Sequence, residues 1–297
     1  MIKLNNRDCT TAVKGTALGK CLILPGYFSK NILFEKGLEL DAENDTLDDA
    51  KVQELIQNGK IVVLPEHLSL EEGSEEDVYE TLPNGTQQFV RYGVKRYTFS
   101  YANGICFGNA LASLASKKWD IAFVDHENKL IINHTENGIK GFGTAFVRKG
   151  NMTLNDGSVS TKDNLVIGFT PAGSQAMNES LAVVYAKDSV DWLGLEGVHD
   201  VRLVVENTSA SDLRISVLDG CSETPIEGLD NPDYWRFENQ DGSTVTPSGV
   251  TYQNGAYTIS GVTAGTYNAN LGTADSNVII DAVNDFYKSN VENVTVS

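Results

Sequence analysis

Asn-Gly and Asp-Gly pairs punctuate this chain, at Asn84-Gly85, Asn103-Gly104, Asn137-Gly138, Asp156-Gly157, Asp219-Gly220, Asp241-Gly242 and Asn254-Gly255 among others. These residues tolerate the positive φ that a tight hairpin turn demands, so they predict many short antiparallel strands and little helix. The chain has 297 residues, room for one large β domain or two ordinary ones, and two are expected. Apolar residues make up 41% and charged residues 21%, the composition of a chain that buries a core.

Residues 1–45 mix short apolar runs with turn signals and read as an extended arm or edge strand, with Pro25-Gly26 ending the run Cys21-Leu-Ile-Leu. The clearest helix spans 46–59: Thr46 can cap it, Leu47, Ala50, Val52, Leu55 and Ile56 form its apolar stripe, and Gly59 stops it. Lys60-Ile-Val-Val-Leu-Pro follows as a buried strand. The stretch 66–80 carries Glu71, Glu72, Glu75, Glu76 and Asp77 and reads as a solvated loop.

Gln88 to Ala102 reads as one strand, in which Tyr97, Phe99 and Tyr101 share a face by the two-residue period. A short helix is expected over 109–118, then a strand from Trp119, with further strands at 130–133, 141–148, 164–169 and 181–186. Asp191-Trp-Leu-Gly-Leu-Glu-Gly reads as a junction. The expected organisation is a sandwich- or barrel-like β domain with one or two short helices over 1–190, followed by an Ig-like β-sandwich over 197–297.

The second domain offers strand candidates at 201–206, 213–218, 234–237, 256–260, 266–271, 278–280 and 291–296, a density that suggests a sandwich. Asn254-Gly-Ala-Tyr-Thr-Ile-Ser-Gly-Val-Thr-Ala-Gly-Thr-Tyr resembles the closing hairpin of Ig-like and carboxypeptidase-regulatory-like modules. That resemblance implies core positions for Tyr257 and Tyr267 and a turn at Gly261 and Gly265. Trp235 is expected in the core.

No catalytic constellation emerges, and no catalytic, cofactor-binding or metal-binding residue is assigned. The histidines His67, His126, His134 and His199 are scattered, and Asp125-His126-Glu127 reads as a turn of solvated polar residues. Gly138-Ile-Lys-Gly-Phe-Gly lacks the helix and the lysine-serine ending of a phosphate cradle. Cys9, Cys21, Cys106 and Cys221 form no CxxC pair and read as free thiols. The N-terminus has no apolar run of the secretory kind, and no stretch reaches the length of a membrane span. The formal net charge of −17 repels a phosphate backbone. Residues 197–297 hold 14 acidic and 4 basic side chains, and 4 − 14 = −10 of that charge lies there.

The plan of a first β domain with a small helix, then an Ig-like module, resembles the tail tube proteins of long-tailed phages. The resemblance implies a non-enzymatic virion subunit, made in the host cytoplasm, that self-associates into stacked hexameric rings. It contacts other tail proteins and passes DNA without binding it, with no membrane and no cofactor. Residues 1–45 and 66–80 would then bridge rings. Two other readings stay open: a capsid decoration or head-fibre-base protein, and a cell-surface adhesin whose second domain stacks sugars on Tyr234-Trp235-Arg236-Phe237.

Overall fold

The computed structural model describes residues 26–41, 45, 47–155, 157, 161–185, 190–209, 212–273, 276–280 and 285–297. The fold is mainly β with three short helices among the described residues. Contacts divide it between Leu195 and Glu196 into two compact units, with Ile56–Asn58 grouped with the second.

The first unit opens with β1 (Phe28–Glu35), β2 (Glu39–Asp41), α1 (Asp49–Gln57), β3 (Ile61–Val63), β4 (Ser69–Glu72), β5 (Val78–Thr81) and β6 (Gln87–Arg91). It continues through β7 (Arg96–Tyr101), α2 (Gly104–Ser113), β8 (Trp119–Asp125), β9 (Lys129–His134) and β10 (Gly138–Lys140). It ends with β11 (Phe142–Lys149), β12 (Asp163–Phe169), α3 (Pro171–Glu179) and β13 (Leu181–Tyr185). The main sheet follows the order β2-β10-β9-β8-β11-β12-β7-β4, with β1 beside β8 and β3, and β13 beside β9.

Strand β8 organises this unit. One side pairs with β1 along its length, from Glu35↔Trp119 to Phe28↔Asp125. The other side is shared: Phe123 and Val124 pair with β9, while Asp120 and Ile121 pair with β11. Every residue of β8 is buried. Phe99, Phe123, Phe142 and Phe169 pack with Tyr97 and Tyr101 in the core, each full burial being worth roughly 1.5–3 kcal/mol.

Several expectations for this unit need correction. Residues 28–35 are not an arm or an edge: β1 is a buried strand paired on both sides, and its Asn31 donates to the Tyr101 hydroxyl at 2.9 Å. Residues 1–25 and the Thr46 cap lie outside the described residues. Asp48 accepts the backbone N–H of Lys51 at 2.9 Å, as a capping side chain does, and Lys60 N–H closes on Leu55 O at the other end. Val52, Leu55 and Ile56 are buried as the stripe requires, whereas Ala50 faces solvent.

The strand expected over 88–102 is two strands broken at Tyr92–Lys95. Gly93 explains the break: a Cβ there would sit 1.9 Å from the carbonyl oxygen of Glu75, so only glycine lets the chains cross. Helix α2 starts five residues before the expected 109, at Gly104. Helix α3 was not foreseen, although Thr170 accepts from Gly173 N–H at 2.9 Å and Pro171 occupies the first turn. The Thr-Pro pair was the available signal.

The second unit contains β14 (Val198–Ser209), β15 (Asp212–Asp219), β16 (Trp235–Asn239), β17 (Thr244–Val245) and β18 (Gly249–Gln253). Then follow β19 (Ala256–Ser260), β20 (Gly265–Leu271), β21 (Ile279–Ile280), β22 (Phe286–Ser289) and β23 (Glu292–Val296). Two sheets, β18-β19-β15-β14-β22-β21 and β17-β16-β20-β23, enclose one core, a β-sandwich. Strands β17, β18 and β22 were not among those expected.

Asn254 and Gly255 both take positive φ, 55° and 82°, between Gln253 and Ala256, the two-residue turn that their sequence predicts. The stretch 256–267 is not a hairpin. Strand β19 pairs with β15 and β18, and β20 pairs with β16 and β23, so the chain crosses from one sheet to the other. Gly261 carries the positive φ of that crossing, while Gly265 already begins β20. Tyr257 and Tyr267 are buried. The Trp235 ring packs 5.3 Å from Tyr257, and its Nε1 donates to Leu229 O at 2.8 Å.

Candidate functional site

The acidic stretch 66–80 is a solvated loop only in part: Ser69–Glu72 form β4 and Val78 begins β5, while 73–77 lie outside any strand and are largely exposed. Gly73 N–H bonds to Arg96 O and Glu75 N–H to Val94 O, so the backbone follows β4 out along the sheet edge. It then turns back as the separate two-stranded hairpin β5–β6. Thr81 pairs with Gln87, and Leu82 N–H bonds to Thr86 O across the Asn84-Gly85 turn. At the base, Gly93 N–H donates to Asp77 Oδ1 at 2.8 Å.

Every residue of β5 and β6 is exposed, and the exposed side chains include large apolar ones. Tyr79 is 53% exposed, Phe89 45% and Val90 53%, with Val78 close behind. Tyr79 stands opposite Phe89 at 5.8 Å between ring centroids, and Phe89 lies 4.8 Å from Tyr92. Two strands alone are marginally stable in water. The hairpin forms a two-stranded sheet of its own with its apolar side chains in solvent, the kind of exposed patch from which an interaction site is argued. Sequence reading missed it because β5 was absorbed into the acidic run; the usable signal was Val78-Tyr-Glu-Thr and Gln88-Phe-Val-Arg flanking Asn84-Gly85.

The second feature is a groove of about 480 Å³ between the start of β1 and the approach to β4. Tyr27, Phe28, Glu66, His67, Leu68 and Leu70 line it. Tyr27 and Leu68 are 71% and 58% exposed. The Asp125-His126-Glu127 triplet builds its rim, and Asp125 is wholly buried rather than solvated. Asp125 accepts N–H groups from Gly26 (3.0 Å), Glu127 (2.9 Å) and Lys129 (3.0 Å). His126 stacks on Tyr27 at 4.3 Å with an 8° tilt and donates its N–H to Tyr27 O. This turn fixes where Tyr27 stands.

His67 packs edge-on to Phe99 at 4.9 Å, and its Nδ1 has no hydrogen-bond partner among the described residues. Burial lowers its pKa, opposed by the nearby Glu66 carboxylate. Burial pushes the Tyr97 hydroxyl up to about 12, helped by Glu72.

No protein-family model matches the chain, and no curated protein matches it. No helix among the described residues is long and apolar enough to cross a membrane.

The remaining chemistry-bearing residues are dispersed. Glu196, His199 and Asp285 each bring a ligand atom within 4.8 Å of the others, and His199 Nε2 lies 3.2 Å from Glu196 Oε2. All three reach solvent, and this is the geometry of a surface ion-pair cluster. Trp235 and Phe237 are buried and Tyr234 is half-buried, so the Tyr234–Phe237 cluster does not form an exposed sugar platform. Cys106 and Cys221 each take part in a disulfide, which corrects the free-thiol reading of these two: the absence of a CxxC pair does not bear on disulfides between cysteines far apart in sequence.

Proposed function

We propose that this chain is a virion structural subunit that self-associates into the tube of a long-tailed phage, a conduit through which DNA passes without being bound. The observation that carries the reading is the β5–β6 hairpin, whose Tyr79, Phe89 and Val90 stand about half in solvent. A subunit built to dock on copies of itself needs such an element, and the sandwich in the second unit suits a projecting decoration. The net charge of −17 disfavours adhesion to DNA. Disulfides at Cys106 and Cys221 fit a particle that works outside the reducing cytosol.

Negative-stain microscopy of the purified chain, followed with rising concentration, tests this. Rings or tubes with a central channel are expected. Monodisperse single particles at every concentration would sink the proposal. Compact clusters without a channel would favour a capsid decoration protein.

A further inference from the structure

We infer that the groove between Tyr27 and Leu70 is the receptor for the β5–β6 hairpin of a second copy of this chain. This rests on the self-association reading above and names its two contacting surfaces.

Charge selects this pairing. The hairpin Val78–Arg91 holds one acid, Glu80, and one base, Arg91, for a balance of 1 − 1 = 0 in a chain of net charge −17. The residues that line the groove contribute only Glu66 as a formal charge, and at its rim Asp125 is buried and Glu127 is paired with Lys129. Two nearly neutral, apolar surfaces can meet without the repulsion that opposes contact between other faces of so acidic a chain.

Geometry excludes a closed, self-satisfied arrangement. The groove lies at the Ser69-Leu70 end of β4, whereas the hairpin departs beyond Glu72, and no hairpin residue lines the groove. A hairpin that occupies the groove then comes from another molecule. Knob and groove are different patches, so the contact is heterologous and propagates into a ring or a filament rather than stopping at a symmetric pair. Tyr27 is held on one face by the His126 ring and offers its other face to an incoming aromatic ring.

The area sets the strength. With about half of Tyr79, Phe89 and Val90 in solvent, the hairpin presents on the order of 300 Å² of apolar surface. Matched by the groove, the contact buries roughly 600 Å² in total, short of the ~1,200–2,000 Å² of a stable pair. A single contact is weak but forms a pair at high protein concentration, and a closed assembly in which each copy makes it twice reinforces it.

The experiment uses the full-length chain and two double variants, Tyr79→Ser with Phe89→Ser in the hairpin, and Leu68→Asp with Leu70→Asp in the groove. All four positions are exposed, and circular dichroism with thermal melting confirms that each variant folds. Sedimentation velocity should show the wild type assembling and each variant remaining monomeric at tenfold higher concentration. An equimolar mixture should yield one-to-one pairs and nothing larger, because a single productive contact remains. Assembly of the groove variant at the wild-type concentration overturns the inference while leaving self-association standing; the hairpin would then pack on another hairpin. Absence of pairs in the mixture also overturns it. A wild type that is monomeric throughout removes the self-association reading itself.

Discussion

Asp125→Asn is the sharpest test of how the groove is held. Oδ1 accepts from both Glu127 N–H and Lys129 N–H, and Oδ2 accepts from Gly26 N–H. An asparagine keeps its carbonyl on the two-bond side and turns its amide toward Gly26, setting donor against donor. The stranded Gly26 N–H costs about 1–3 kcal/mol, and two charge-assisted bonds become neutral at about 1 kcal/mol each. Relief from burying a carboxylate offsets part of this, leaving a loss of about 2–4 kcal/mol. At a urea slope of ~2 kcal/mol per molar, the midpoint of the first unit should fall by about 1–2 M. Hydrogen exchange should accelerate first at Gly26 and Tyr27, ahead of the centre of β1. Stability within ~0.5 kcal/mol of wild type, with unchanged exchange at Gly26, would refute the claim that Asp125 fixes the groove rim.

Three further outcomes are expected. Trp235→Ala removes a buried ring and the donor to Leu229 O, and should cost the second unit roughly 3–5 kcal/mol, read as its urea midpoint in pulse proteolysis; a loss under ~1 kcal/mol would mean the ring is not packed. The lowered pKa of His67 means the unfolded chain takes up its proton first as pH falls from the ordinary value of 6.5, so wild-type stability should drop as pH falls below about 6.5, and His67→Gln should flatten that slope in urea titrations. Alkylation without reductant should leave Cys106 and Cys221 unmodified in peptide mapping, and reduction should expose both; labelling of either before reduction would contradict the disulfides.

Where periodicity and turn chemistry act locally, the sequence was informative. Tyr97, Phe99 and Tyr101 alternate because β7 packs one face on the core, and Asn254-Gly255 forms its turn because both residues accept positive φ. What failed depended on distant partners. No local signal says that β1 is sandwiched between β3 and β8, because a short apolar run reads alike at an edge and in the middle of a sheet. The Tyr257–Tyr267 segment has the composition of a hairpin, yet pairing with β15 and β16 sends its two strands to opposite sheets. Asp125 looked solvated because turn acids usually are, and its burial follows from the chain returning at Gly26, 99 residues earlier. The exposed hairpin was hidden by its neighbours, since five acids over 71–77 dominate any window that includes Val78 and Tyr79.

Those acids have their own part in how copies can meet. Among the described residues, the main strand path of the first unit ends at β2 and β4, each paired on one side, as are the branch strands β3 and β13. Unpaired strand edges invite pairing with another chain, and charge is the common defence. Glu39 and Asp41 lie on β2, and Glu71 and Glu72 lie on β4. Pairing either end with itself or with the other sets carboxylates against carboxylates, which disfavours extension of the sheet from one copy to the next. The hairpin β5–β6 stands beyond this guard with a balanced charge and its aromatic rings in solvent. If copies associate as proposed, the acidity bears on assembly more directly than on a DNA path: it disfavours pairing at β2 and β4 and leaves the charge-balanced hairpin as the surface that can dock.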